Sequence, residues 1–207
     1  MVSRNPRPVV VFDLGGVLID WNPRHLYRSL FDDEAEMEWF LAEVCNDAWN
    51  LEQDAGRPFG QAVEEAARRH PDWRPMIEAY WTRWDEMVAG AYDEAVAVLA
   101  DLRERNVELH ALTNWSAETF PVAKRRFDFL GWFESILVSG EEGLVKPDLR
   151  IFYLWGSRTG RRPEHCVYID DSRPNVVAAE KVGFDAIHHR TGETLRGALV
   201  ERGLLPV

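Results

Sequence analysis

From about residue 90 onward, short apolar runs alternate with segments patterned for helices, and that alternation leaves few folds open to a 207-residue chain. Ala95, Val96, Val98, Leu99 and Leu102 recur at helical spacing and precede the strand-like run Val107-Glu108-Leu109-His110-Ala111-Leu112. A helix over 117–127 leads to Ile136-Leu137-Val138, and a helix over 148–155 precedes Cys166-Val167-Tyr168-Ile169. A last helix over 174–182 is followed by Ala186-Ile187. Such alternation predicts a parallel sheet joined by right-handed crossovers. Near the start, Val9-Val10-Val11-Phe12 is continuously apolar and β-branched, the pattern of a strand covered on both faces. The expected class is α/β, a doubly wound, Rossmann-like parallel sheet built from residues 1–20 and 90–207.

Residues 21–89 differ in character. They hold Trp21, Trp39, Trp49, Trp73, Trp81 and Trp84, six of the nine tryptophans, and no buried-strand pattern. Leu41–Val44, Phe59–His70 and Met76–Val88 read as amphipathic helices, punctuated by Gly56-Arg57-Pro58 and His70-Pro71-Asp72. An inserted all-helical cap is expected there. At 23.9 kDa the chain has room for one domain with such an insert.

A formal charge of −11 opposes binding to phosphate backbones, and the basic runs Lys124-Arg125-Arg126 and Arg161-Arg162 are too short to form a compensating stripe. No nucleic-acid partner is expected. No apolar stretch reaches the roughly 18 residues that span a bilayer, and Pro8 to Phe12 is too short for a secretory signal. A cytoplasmic protein without a membrane partner is expected, as monomer or homodimer. Cys45 and Cys166 cannot build a disulfide framework or a four-ligand zinc site.

In doubly wound sheets, ligands sit beyond the carboxyl ends of the strands. That rule selects Asp13 after Phe12, Thr113-Asn114 after Leu112, and Asp170-Asp171 after Ile169, with Lys146-Pro147 in the loop before a helix. If these converge, three carboxylates share a site with one ammonium. Like charges so placed repel by several kcal/mol, and a hard divalent cation such as Mg²⁺ resolves the conflict. An Asp paired with such a cation is suited to in-line attack on phosphorus. Lys146 would neutralise the nucleophile and the transferring group together.

These residues resemble a known family. Phe12-Asp13-Leu14-Gly15-Gly16-Val17-Leu18, Leu112-Thr113-Asn114, Lys146-Pro147, and Ile169-Asp170-Asp171-Ser172 with Asn175 are similar, in order, to the four motifs of the haloacid dehalogenase superfamily. The resemblance covers essentially the whole chain, and implies a Mg²⁺-dependent phosphatase that takes a small phosphorylated metabolite under a specificity-setting cap. It implies Asp13 as a nucleophile forming an aspartyl-phosphate, and Mg²⁺ held by Asp13, Asp171, the Gly15 carbonyl and Asp170, the last as ligand or support. It implies phosphate contacts from Thr113, Asn114 and Lys146, with Lys146 also serving catalysis. Within the superfamily the chain is most similar to sugar-phosphate phosphatases of the glucose-1-phosphatase type.

One departure stands out. The family's phosphatases usually carry a second Asp, the general acid and base, two residues after the nucleophile; here that position is Gly15. Such help is typically worth about 10²–10⁴-fold, and its loss matters least for a good leaving group such as an anomeric oxygen. Two other readings stay open. A 2-haloacid dehalogenase uses the same nucleophile on carbon without metal, but Asp170-Asp171 would repel its carboxylate substrate. A non-catalytic phospho-ligand binder would explain Gly15 but not Asp13, Lys146 and Asp171 together. Taken singly, each site residue has a bland explanation as a helix cap, turn former or surface lysine. His188-His189 reads as solvated loop, the cap tryptophans as core with one or two free to stack on a sugar, and Glu52, Gln53 and Arg57 as the polar cap residues nearest a substrate.

Overall fold

The computed structural model describes residues 8–206; residues 1–7 and 207, assigned to the core by the sequence, lie outside the described residues. The strands are β1 (Val9–Phe12), β2 (Ile19–Trp21), β3 (Val88–Ala91), β4 (Glu108–Thr113), β5 (Ser135–Val138), β6 (Cys166–Asp170) and β7 (Asp185–His188). Five of them form an all-parallel sheet in the order β5-β4-β1-β6-β7. The chain therefore winds outward from β1 in both directions, and β1 lies beside the point where the order reverses. This is the α/β doubly wound class expected.

Burial follows the apolar pattern. All four residues of β1 and all six of β4 are buried. Val9 and Val11 pack with Ile151, Phe152 and Trp155 of one helix, α9 (Leu149–Thr159), and with Ala178 and Ala179 of α10 (Arg173–Val182). Val10 and Phe12 join the opposite core with residues of α6 (Asp93–Glu104), α7 (Phe120–Arg126) and α11 (Gly192–Glu201). The remaining core helix, α8 (Ser139–Glu142), follows β5 directly. Glu108 and His110 are polar but buried in β4; His110 Nε2 bonds Glu108 at 2.8 Å, and Arg161 grips the same carboxylate with two 2.7 Å bonds. Among the described residues, no helix is long and apolar enough to cross a membrane.

Five helices lie between β2 and β3: α1 (Pro23–Tyr27), α2 (Glu34–Glu43), α3 (Asp47–Asp54), α4 (Phe59–Arg69) and α5 (Arg74–Thr82). The insert is not wholly helical at its root, because β2 and β3 pair as an antiparallel two-stranded ribbon. The expected helix over Met76–Val88 stops at Thr82; a single 3₁₀ turn, Trp84–Met87, carries the chain into β3. Asn46 caps α3 by accepting from Trp49 N–H at 2.8 Å, and Gly56, at φ +98°, turns the chain away after it.

The helical insert is docked on the sheet end through polar contacts. The α4 N-terminus has no cap of its own, and the Phe59 N–H is taken instead by Glu118 of the core at 3.0 Å. Ser139 accepts from Trp115 N–H at 2.9 Å and donates to the Asp54 carbonyl at 2.6 Å. Behind this seam, main chains of the core itself approach closely. A Cβ on Gly140 would lie 2.5 Å from the Ala117 nitrogen and 2.8 Å from the Trp115 carbonyl. Gly140→Ala should therefore lower the urea-unfolding free energy by about 1–3 kcal/mol, the usual cost of overpacking; an unchanged midpoint would show that this packing can give.

Candidate active site

Parallel register brings the selected strand ends side by side. Phe12 pairs with Ala111 on one flank and Ile169 on the other, so Asp13, Leu112 and Asp170 lie at one level, with Thr113 and Asp171 just beyond. The Asp13 N–H donates to the Ile169 carbonyl at 2.8 Å, which fixes the start of the loop. Leu18 and Ile19 N–H then fold back onto the Leu14 carbonyl at 2.8 and 2.9 Å. The Gly15 carbonyl is not taken up by these bonds. Gly16 sits at φ +71°, and a Cβ there would meet Asp171 Oδ2 at 2.3 Å. Glycine at that position lets the Asp171 carboxylate come up to the loop.

Lys146 lies at the centre, 1% exposed. Its ammonium has three acceptors: Asp13 Oδ1 at 2.9 Å, Asp170 Oδ2 at 2.8 Å and the Leu112 carbonyl at 2.9 Å. Burial alone would lower its pKa, but Asp13 and Asp170 more than reverse this and hold it above the ordinary lysine range. On Asp13, Oδ1 also accepts from Leu14 N–H at 2.7 Å. No described residue donates to Oδ2, which remains without a protein donor. Burial pushes the Asp13 carboxyl up to about 7, with Lys146 pulling it down and Asp170 and Asp171 pushing it further up.

Of the two roles the resemblance implies for Asp170, ligand or support, its hydrogen bonds favour support. Its oxygens are engaged by Lys146, Tyr168 hydroxyl at 2.5 Å, Ser172 N–H at 2.8 Å and Asn175 Nδ2 at 3.1 Å. It is buried and serves to hold Lys146. Asn114, expected to contact phosphate, pins the Lys146 main chain: Nδ2 donates to its carbonyl at 3.0 Å and Oδ1 accepts from its N–H at 2.8 Å. Thr113 meets the expectation better. It is 1% exposed, and its Oγ1 has no partner among the described residues. A buried orphan hydroxyl is costly unless a ligand completes it.

Oxygens of Asp13, Asp170 and Asp171 lie within 4.8 Å of one another. Three carboxylates against one ammonium leave negative charge in excess, and burial followed by the Asp170 charge pushes the Asp171 carboxyl up. An all-oxygen, anionic donor set fits a hard cation. Asp13, Asp171 and the Gly15 carbonyl are the groups left free to hold one.

Beside this cluster lies a cleft of about 370 Å³, counted out to its open mouth, lined by Gly15, Asn114, Trp21, Trp84, Trp115, Phe59, Thr119, Asn50 and Asp54. The indole N–H groups of Trp21 and Trp115 and the Thr119 hydroxyl are buried without partners among the described residues. The cap residues singled out from sequence do not line it. Arg57 bonds Gln53 at 2.7 Å and also pairs with Glu52, so these three bind one another. Asn50 and Asp54, on the same helix as Glu52 and Gln53, line the cleft instead; the Asn46 cap and the Gly56 turn signal that helix. His188 is also not a solvated bystander, since its Nε2 donates to the Asp171 carbonyl at 2.9 Å.

A family profile described as haloacid dehalogenase-like hydrolase matches residues 8–183. The chain belongs to the haloacid dehalogenase-like hydrolases. It is thus an enzyme of the hydrolase class. Among curated relatives, sesquiterpene phosphatase astK of Aspergillus oryzae is 23% identical over 86% of this chain and 87% of its own length. Phosphoserine phosphatase of Thermus thermophilus is 30% identical over 72% of this chain but 55% of its own length. Among solved structures, a HAD family enzyme of Bacteroides thetaiotaomicron, crystallised as a magnesium complex, superposes with a TM-score of 0.72 at 22% identity, over 94% of this chain and 99% of that one. That likeness bears on the fold.

Removing the central ammonium tests the electrostatic account. Lys146→Met leaves Asp13 and Asp170 buried without their counter-charge and should cost about 3–5 kcal/mol in urea unfolding without divalent cations. A variant as stable as the parent would show that the ion pairs do not hold the site together.

Proposed function

We propose that the chain is a magnesium-dependent phosphatase of small phosphomonoesters, working through an aspartyl-phosphate on Asp13. The observation that carries this reading is the divided Asp13 carboxylate: Oδ1 is tied to Lys146 and Leu14, while Oδ2 is free beside the unpartnered Thr113 hydroxyl. A nucleophile oriented through one oxygen keeps the other aimed at substrate. The names of the two phosphatase relatives support the same class of reaction.

In the first step Asp13 Oδ2 attacks phosphorus and the ester oxygen departs; in the second, water attacks phosphorus and releases Asp13. Thr113 donates to a non-bridging oxygen, and Lys146 balances the charge that passes between nucleophile and phosphate. Held by Asp13, Asp171 and the Gly15 carbonyl, magnesium would draw charge from the phosphate oxygens. The dehalogenase reading fares worse, because Asp171 adds a carboxylate where a haloacid would need to place its own.

For the leaving group, the cleft offers aromatic faces together with three orphan donors, Trp21 Nε1, Trp115 Nε1 and Thr119 Oγ1. A hydroxyl-bearing ring satisfies both, and supports a sugar phosphate, with the sugar 1-phosphates as first candidates.

Two measurements test the reading. Phosphate release from a panel of sugar phosphates should require Mg²⁺ and stop with EDTA, Asp13→Asn should reduce it to background with unchanged circular dichroism, and chloroacetate should release no halide. Halide release insensitive to EDTA would move the enzyme to the dehalogenases. Independently of turnover, Mg²⁺ should stabilise the protein by about 2.7 kcal/mol at one hundred times its Kd, read as a rise in Tm. Asp171→Asn should abolish most of that rise; an equal rise in the variant would place the cation elsewhere.

A further inference from the structure

Position 15 has no side chain to protonate a leaving oxygen, and the space around it is open: a Cβ built there would meet nothing within 4 Å. Asp54 lines the same cleft from the cap side. We propose that Asp54 is the general acid and base of this enzyme, supplied by the cap in place of the carboxylate absent at Gly15. The inference rests on the phosphatase reading and adds to it the group that moves the proton.

Asp54 is placed rather than loose. It is the last residue of α3, and its main-chain carbonyl is bound by Ser139 of the core at 2.6 Å. Its Oδ2 accepts from Asn50 Nδ2 at 3.1 Å, and the main chain of Ser116, in the loop after β4, lies close enough to favour its charged form. The carboxyl thus spans the seam between cap and core, two residues beyond Asn114 on the core side. Thr119, Trp115 and Trp84 wall the cleft around it.

Its surroundings suit proton transfer near neutrality. Burial pushes the Asp54 carboxyl up to about 7, with the Ser116 main chain and the Lys146 charge pulling it down. The other titratable group facing it is the Tyr80 hydroxyl of α5, which burial and neighbouring charge keep neutral. A carboxyl poised near the working pH can give a proton in one step and take one in the next.

The steps balance. As Asp13 Oδ2 bonds to phosphorus and the ester P–O bond breaks, the Asp54 carboxyl gives its proton to the departing alkoxide, releasing the alcohol. The Asp54 carboxylate then takes a proton from the water that attacks phosphorus, the P–O bond to Asp13 breaks, and inorganic phosphate leaves with both carboxyls restored.

The test compares Asp54→Asn with the parent enzyme, in Mg²⁺, on an alkyl phosphate and on p-nitrophenyl phosphate, whose leaving group needs no proton. For the alkyl ester kcat/KM should fall by about 10²–10⁴-fold. For p-nitrophenyl phosphate it should change little, while turnover becomes a burst of one nitrophenolate per site followed by slow hydrolysis, since the attacking water has lost its base. The burst also shows that the variant is folded and armed. Adding Gly15→Asp to that variant should restore the alkyl ester, because the open space at position 15 admits the side chain. Equal losses on both esters would reduce Asp54 to a fastening between cap and core, and no loss on either would exclude it; both results overturn the proposal and leave the phosphatase standing. A parent enzyme silent on both esters would remove the phosphatase reading and this inference with it.

Discussion

The Lys146 ammonium is the interaction on which the site depends. Parallel pairing of β1 with β4 and β6 places acidic strand ends side by side, and pairing alone would set them in mutual repulsion. A buried lysine bonded to Asp13, Asp170 and the Leu112 carbonyl converts the crowding into a network. Much else serves that lysine. Asn114 fixes its main chain, while Tyr168, Ser172 and Asn175 orient the carboxylate that anchors its side chain. Among the groups left without a protein partner by this network are Asp13 Oδ2 and the Thr113 hydroxyl.

The parts of this arrangement written in buried parallel strands were legible beforehand. Continuous apolar runs such as Val9 to Phe12 have only one comfortable setting, and a sheet of that kind puts its chemistry at the strand ends. Asp13, Thr113, Lys146, Asp170 and Asp171 are found together for that reason. The β2–β3 ribbon was not legible, since Ile19-Asp20-Trp21 and Val88-Ala89-Gly90-Ala91 are short, partly polar, and strands only because they pair with each other. Apolar spacing likewise ran on from Met76 through Trp84 and Met87, although the helix stops at Thr82.

Residue type also said little about where hydrogen bonds go. An Asn after a strand can face ligand or backbone, and Asn114 faces the Lys146 backbone. Two aspartates in succession read alike from sequence, one as a ligand and the other as ligand or support, yet protein donors saturate the first and leave the carboxylate of the second unengaged. Glu52, Gln53 and Arg57 looked available because they are polar and near a turn, but they satisfy one another, whereas Asn50 and Asp54 on the same helix reach the cleft. Trp49 and Gln53, one turn apart, mark the buried face of α3, and the Ser139 bond to the Asp54 carbonyl fixes its end against the core.

That docking ties chemistry to assembly of the site. On the proposed reading, the core alone presents the nucleophile, a charge-balancing lysine and a hydroxyl for phosphate. Most of the aromatic walls of the cleft and the Asp54 carboxyl come from the other side of the seam, held by the Ser139 bond to the Asp54 carbonyl and the Glu118 bond to Phe59. A proton donor fixed by bonds that cross to the core is in place only when the cap is seated. Leaving-group protonation and exclusion of water then arrive together, so the ester is cleaved where its alcohol is bound and not wherever a phosphate happens to reach Asp13. Glycine at position 15 is consistent with this division, since a second carboxylate there would put another negative charge on the loop of Asp13, and in the proposed mechanism the cap supplies one from across the cleft instead.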